Sequence, residues 1–445
     1  MTADPLAPAR PALLARSTQA QPRADVVLVL EGTYPYAIGG VSTWVHGLVA
    51  ALPEVSFGIV HLYAGDAPRT SHFARPANVA WQLDLALSQP LDAVDPEALA
   101  ALVPRARVVH ALATGFAGQV ARAVAARTGA PLLLTEHGIY WYEIQEGAPE
   151  LECGLRLHGQ DVSGGNACAS RQRWVDHFQR IARETYAAAD RVTTVCEANA
   201  RLQRQLGARG PEVIPNGVAV PDAVEPVGER ALARMHASAR RPAALRIGLV
   251  GRVTPIKDVH AFVRAAARVA DAVPDARFFV VGPTDDAPYA DSVRQLADRL
   301  GLADRLALTG AQPADLWVRH LDVVVLTSRS EAQPLALLEA MAHGRPVVAP
   351  DVGGCRALIE ADGPPAGLVV PVPTPDAFGL ADLGPGTAEA LLALAADARL
   401  RARLGAAGRE RAAGRSLARV ADRYRALYAE LATAAHAPAE TARSV

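Results

Sequence analysis

From Asp25 onward, short β-branched runs alternate with Ala-, Leu- and Arg-rich stretches whose apolar positions recur at helical spacing. That alternation predicts an α/β chain in which parallel sheets are covered by helices. Strands are expected at Val26–Leu30, Gly58–Leu62, Val108–His110, Leu132–Thr135 and Val192–Val195. A second set is expected at Arg246–Val250, Phe278–Val281, Leu306–Leu308, Val323–Leu326, Val347–Ala349 and Gly367–Val370. Between the sets, Val218–Pro242 carries Pro221, Pro226 and Pro242 with no strand signal, a composition break suited to a linker. The expected organisation is a flexible tail 1–23, a Rossmann-like domain 24–220, a linker 221–242, a second Rossmann-like domain 243–415 and a flexible tail 434–445. A helix at 416–433 shows an apolar set, Val420, Tyr424, Leu427 and Leu431, that needs a surface to cover, with the N-terminal domain as the candidate. The halves share a pattern but no visible repeat, so they read as independent units.

Length and composition agree with two cores: 445 residues, half of them apolar, exceed what one core usually organises. A net charge of -1 lacks the basic footprint of a nucleic-acid or anionic-membrane binder, so any anion must be met locally. No apolar run approaches the ~18–20 residues that span a bilayer. Four cysteines, Cys153, Cys168, Cys196 and Cys355, show no CxxC spacing, which favours free thiols in a reducing, cytoplasmic setting without structural zinc. Two stretches break the rhythm: Tyr140–Ala169, a long segment with Gly, Pro and acids, and Thr374–Thr387, to which no role is given. Segments of the first kind are usually functional or mobile.

Candidate chemistry gathers at strand ends. Gly251–Asp258 follows a strand and precedes a helix, so Arg252 and Lys257 project from the sheet edge where α/β folds bind ligands. A planar guanidinium and a compact ammonium suit a diphosphate and could stabilise its departure without a metal, although two solvated loop cations fit the same sequence. In Ser328–Ala342, Glu331 stands in the turn after a strand and Glu339 within the following helix, which should begin near Pro334. Glu339 has apolar neighbours Leu337, Leu338 and Met341, so it should be half-buried, and a carboxylate there accepts well from vicinal diols. Glu331 sits where sugar hydroxyls could be contacted, beside free helix N–H groups that favour phosphate. Gly39-Gly40 lets backbone approach a ligand, yet it lacks the GxGxxG spacing of a dinucleotide fingerprint, and none occurs elsewhere. His137 follows a strand end on the rim facing the second domain. A single histidine is often structural, but this position points to a substrate contact. Tyr140, Trp141 and Tyr142 could stack a sugar face or simply pack the loop.

The ordered set of motifs resembles the GT-B glycosyltransferases of retaining family 4 over about residues 25–430. It comprises the Gly39-Gly40 loop, His137 at a strand end, Pro215-Asn216-Gly217-Val218, Gly251-Arg252 to Lys257, Val281-Gly282-Pro283, and Glu331 with Glu339. Within that family, Glu31-Gly-Thr-Tyr-Pro-Tyr, Thr135-Glu-His-Gly-Ile-Tyr and the Gln-Pro after Glu331 resemble the PelF-type branch of Pel exopolysaccharide systems. The resemblance implies two Rossmann-like domains facing across a cleft and hexosyl or N-acetylhexosaminyl transfer from a UDP-sugar to a saccharide acceptor, with no cofactor or metal. It further implies that Arg252 and Lys257 bind the donor diphosphate and that Glu339 holds the ribose. Glu331 would contact the donor sugar, with Gly39, Gly40 and Leu335 at the donor and His137 beside donor sugar and acceptor. The family usually has Phe-Gly after its first Glu, where this chain has Ala332-Gln333-Pro334. The implied protein is cytoplasmic, tied to the inner membrane only through a polysaccharide synthase or export complex. The rival expectation is a nucleotide-sugar-binding subunit of such a complex that transfers nothing; a phosphorylase or dehydrogenase lacks its pyridoxal-lysine context or dinucleotide fingerprint.

Overall fold

A computed structural model of the chain describes residues 23–434 apart from 65–69, 88–92, 147–166, 224–226, 242, 285, 362 and 375–380. The expected tails apart from Arg23 and Ala434, residues 375–380 of the 374–387 stretch and most of the 140–169 stretch, with Cys153 and the Cys168 side chain, lie outside the described residues. Cys196 and Cys355 are free and buried.

Two all-parallel sheets form. The first contains β1 (Ala24–Glu31), β2 (Phe57–Tyr63), β3 (Val79–Ala86), β4 (Ala106–Ala111), β5 (Leu132–Glu136), β6 (Arg191–Thr194) and β7 (Glu212–Val213), in the order β3-β2-β1-β4-β5-β6-β7. The second contains β8 (Leu245–Val250), β9 (Ala276–Val281), β10 (Leu306–Gly310), β11 (Val323–Val325), β12 (Val347–Pro350) and β13 (Gly367–Val370), in the order β10-β9-β8-β11-β12-β13. Central strands such as β1 and β8 are buried on both faces, which is why they read as continuous Val/Ile/Leu runs. The expectations missed β3, an edge strand whose VAWQLDLA alternates between covered and exposed positions, and the two-residue β7.

Each sheet is sandwiched by apolar layers. The layer on one face of the first sheet is completed by the C-terminal helix Leu417–Ala434, whose Val420, Tyr424, Leu427, Tyr428 and Leu431 pack with Val26, Leu28, Trp44 and Phe57. The chain therefore crosses between the two halves twice. The crossings lie side by side: Val218 N–H donates to Arg415 O at 3.0 Å and Leu417 N–H donates to Val218 O at 3.1 Å. The segment expected as a plain linker is itself folded, with a helix at Glu229–Arg234 and a 3-10 turn at Ala237–Arg240. Its Met235 and Ala239 are buried against the second sheet's Phe279 and Trp317 layer, because apolar side chains spaced through the break still find cover. Among the described residues no helix is long and apolar enough to cross a membrane.

Both sheets reverse their strand order at one place, between β1 and β4 in the first and between β8 and β11 in the second. Loops leaving such a pair of strands diverge to opposite sides and open a crevice at the strands' C-terminal ends. The candidate residues lie at these two crevices.

Candidate functional site

The second crevice is built from the turn after β8 and the loop after β11. Gly251-Arg252 leave β8, and a 3-10 turn at Pro255–Lys257 ends at Asp258, which has a left-handed backbone (φ 42°) and accepts from Ala261 N–H to cap the helix Val259–Ala272. Asp is among the residues that tolerate this conformation. Thr327, at the end of β11, fastens the turn: its hydroxyl donates to Lys257 O at 3.0 Å and Asp258 O at 2.9 Å, while Arg329 N–H donates to Ile256 O at 2.9 Å. Lys257 Nζ is thereby held 2.7 Å from Glu331 Oε1, which also accepts from the Ser328 hydroxyl at 2.6 Å. The backbone under Glu331 is pinned by Gly353: a Cβ at that left-handed glycine would stand 1.5 Å from Glu331 O. Only glycine permits so close an approach.

The helix expected near Pro334 begins there, running from Leu335 to Ala342 with Pro334 at its cap. Glu339 is half-buried on it, and desolvation, with the nearby Asp315 charge second, raises its carboxyl to about 7. Gln333 spans the two halves: its side-chain oxygen accepts from Asn216 N–H at 2.5 Å and its carbonyl accepts from Asn216 Nδ2 at 3.0 Å.

The first sheet supplies the opposite wall. Gly39 is extended and leads into the helix Gly40–Ala51, whose N-terminus faces the second half; a Cβ on Gly40 would lie 3.9 Å from Leu335 Cδ1. His137 follows β5, only 8 % exposed, with its ring edge-on to Trp44 at 4.5 Å between centroids. Burial lowers its pKa to about 4, so the imidazole is neutral at pH 7 and its Nε2 is buried without a hydrogen-bond partner. Trp44 in turn meets Tyr424 of the C-terminal helix edge-on.

One cleft of about 240 Å³ is lined by all of Gly39, Gly40, His137, Arg252, Lys257, Glu331, Leu335 and Glu339. Eight residues spread over some three hundred positions of sequence thus converge. The aromatic trio does not join them. Tyr140 and Trp141 begin a short helix, Tyr140–Gln145, and are buried with Ile144 against Phe178 and the rest of the apolar layer, while Tyr142 is half-covered beside Trp141. The candidacy of Tyr140 and Trp141 as a sugar-stacking platform is corrected: the helix Ala167–Ala188 brings enough apolar surface to take those two rings inward.

Two carboxyls that the motif reading passed over lie beneath the N-terminal wall. Glu31, 3 % exposed at the end of β1, accepts from the backbone N–H groups of Ala117 and Phe116 and from the Tyr140 hydroxyl, and desolvation raises it to about 7. Glu136, fully buried next to His137, accepts from Thr114, from the Tyr186 hydroxyl at 2.6 Å and from Gln203 Nε2 at 2.9 Å; burial raises its pKa. The signal available in sequence was an acid ending an apolar strand with no exposed neighbour. Among the described residues no group of three or more His, Cys, Asp or Glu is placed to hold a metal ion.

Residues 244–382 match the family model described as glycosyl transferases group 1, and residues 24–90 and 81–211 match a domain of unknown function, DUF3492. The chain is 30 % identical over 247 residues to the D-inositol 3-phosphate glycosyltransferase of Segniliparus rotundus, covering 54 % of this chain and 50 % of that one. It spans about half the length, or less, of the curated relatives it matches. The fold is similar to that of sucrose-phosphate synthase from Thermosynechococcus elongatus, with a TM-score of 0.66 at 21 % identity over 93 % of this chain and all of that one. It is also similar to Anabaena Alr3699/HepE in complex with UDP and glucose, with a TM-score of 0.64 at 17 % identity over 91 % and 99 % of the two chains.

Proposed function

From a chain of GT-B fold whose residues 244–382 match the group 1 glycosyl transferases, we propose a retaining glycosyltransferase that uses a UDP-sugar. The acceptor is a saccharide, a growing exopolysaccharide in the PelF-type reading, and the transferred group is a hexose or N-acetylhexosamine. The observation that carries the proposal is the convergence of Arg252, Lys257, Glu331 and Glu339 from one half with Gly39, Gly40 and His137 from the other on a single cleft. The bound UDP and glucose of Alr3699/HepE, a chain of the same fold, favour the uridine nucleotide.

In this reading the donor diphosphate lies against Arg252 and Lys257 and the N-terminus of the Leu335 helix, and Glu339 accepts from the ribose hydroxyls. Lys257 exchanges part of its bond with Glu331 for a phosphate oxygen, which frees Glu331 to accept from the sugar. The glycosidic bond from the sugar C1 to the phosphate oxygen breaks as the acceptor oxygen bonds C1 on the same face, and the acceptor proton passes to the departing phosphate oxygen. His137, held neutral with its pKa near 4, is a poor base and acts by positioning. The cations act on charge that grows as the bond breaks, where one preorganised donor contributes roughly 3–4 kcal/mol. No cofactor or metal enters the proposal.

Titration calorimetry with UDP, GDP, ADP and their sugars, followed by product analysis with radiolabelled UDP-sugars, tests the reading. Uridine nucleotides should bind and a labelled saccharide should form. The double substitution Arg252→Ala, Lys257→Ala should abolish transfer and leave the fold intact by circular dichroism, and retained transfer would sink the assignment. Tight binding of a UDP-sugar with neither transfer nor hydrolysis would instead identify a binding subunit.

A further inference from the structure

A second, much smaller cavity opens beside the cleft and shares Val41, His137 and Gly138 with it. It lies at the first sheet's own strand-order reversal, between the loop leaving β1 (Leu30, Glu31, Thr33) and the loop leaving β4 (Leu112, Ala113). Its volume is about 20 Å³, enough for one oxygen-sized group and too little for a ring or a phosphate.

The well is constructed rather than left over. Its floor is the Glu31 carboxyl, clamped by two backbone N–H groups and the Tyr140 hydroxyl. Gly115 makes room for that clamp, since a Cβ there would stand 2.3 Å from Glu31 Oε1 and 2.6 Å from the Tyr140 ring. Three lining side chains are more than nine-tenths buried and have polar atoms without a hydrogen-bond partner: Glu31 Oε1, Thr33 Oγ1 and His137 Nε2. A buried polar atom left unpaired costs about 1–3 kcal/mol, so a site that keeps three around one small space is shaped for a polar group that reaches them. An apolar substituent would satisfy none of them, and an anion would face the Glu31 carboxyl. A hydroxyl both donates and accepts, and the threonine hydroxyl and neutral imidazole can supply either complement.

We propose that this well receives a single hydroxyl group of the hexose carried by the nucleotide donor, and that Thr33 and His137, over Glu31, are determinants of which hexose is accepted. The proposal rests on the UDP-sugar reading above. The donor's hexose is favoured over the acceptor because the well opens at His137 and Val41, on the wall facing Lys257 and Glu331, where the sugar end of a diphosphate held by Arg252 and Lys257 must lie. A pocket that hydrogen-bonds a substrate hydroxyl discriminates strongly against analogues that lack it.

The test is calorimetry of UDP, UDP-glucose, UDP-galactose, UDP-N-acetylglucosamine, UDP-xylose and the monodeoxy forms of UDP-glucose against the full chain and its Thr33→Val and Thr33→Ser variants. The expected result is one UDP-sugar that binds tighter than UDP, with that increment falling about tenfold in Thr33→Val, retained in Thr33→Ser, and UDP itself unchanged. One deoxy analogue should lose the same increment with the unsubstituted protein, an arm that needs no variant to fold, and its loss should not add to that of Thr33→Val. An increment insensitive both to Thr33→Val and to every deoxy position overturns the proposal, as does a Thr33→Val effect confined to the KM of a saccharide acceptor. If no UDP-sugar outbinds UDP in the unsubstituted protein, the UDP-sugar reading itself fails, which the UDP-only titration distinguishes from failure of the well alone.

Discussion

At the scale of single residues, the unusual investment is in buried carboxyls. Glu31 sits at about 7 because desolvation outweighs its three hydrogen bonds, against 4.5 for the free side chain. The sign follows from linkage. A folded-state pKa raised above the unfolded one contributes stability that is fully present below about pH 4.5 and is lost as pH rises through 7. Glu31→Gln cannot ionise and keeps the shape. Its stability relative to the parent should therefore improve by about 3 kcal/mol between pH 4.5 and 7.5 in urea titrations. A pH-independent difference would show that the carboxyl is not held in this way. Glu31 also marks where sequence reading stops. Its neighbours announce a strand and a glycine turn, but the atoms that clamp it come from Phe116, Ala117 and Tyr140, more than eighty residues away. Tyr140 and Trp141 teach the converse, since aromatics after a strand end look like a sugar platform until the helix from Ala167 is known to cover them.

Among elements, the helix Leu417–Ala434 does more than cover an apolar face. Its Tyr428 hydroxyl meets His110 Nδ1 at 2.9 Å, His110 Nε2 meets the Thr135 hydroxyl at 2.7 Å, and Thr135 meets the Tyr424 hydroxyl at 3.0 Å, all fully buried beneath β4 and β5. Burial lowers the His110 pKa to about 3, so the network is neutral throughout the working range. Tyr428→Phe leaves His110 Nδ1 without its partner and should cost about 1–3 kcal/mol in chemical denaturation. Tyr424→Phe should cost less, because Thr135 keeps Thr193 at 2.7 Å. Equal and negligible effects would deny the network a structural part. The helix's apolar period was legible in the sequence, as were the central strands, whose β-branched runs have no other use. The edge strand β3 was not, because a half-covered strand of eight residues resembles a polar loop.

Across the whole molecule, donor cleft and domain crossing are joined at Asn216 and Gln333. Gln333, within the Ala332-Gln333-Pro334 stretch of the donor loop, grips the crossing, so cleft geometry and domain disposition are set together. Gln333→Ala removes one partly buried hydrogen bond, worth about 1 kcal/mol, so the melting temperature should move by only a few degrees. UDP-sugar affinity, if the cleft works as proposed, should fall about tenfold, because the loop carrying Glu331 loses its tie to the opposite wall. Unaltered affinity in calorimetry would uncouple the two. Sequence order located both motifs, but the bond between them depends on a crossing that brings position 216 beside position 333.

The paired crossings at Val218 and Arg415–Leu417 carry a consequence for biogenesis. Domains usually fold in the order in which they leave the ribosome. Here the first sheet emerges early but lacks the Val420–Leu431 surface that closes one of its faces until the last helix has been made. The second sheet, contained between Leu245 and Val370, is not interrupted in this way. The half begun first is the half finished last, and in the interval Trp44, Phe57 and their neighbours form an apolar surface still waiting for its cover.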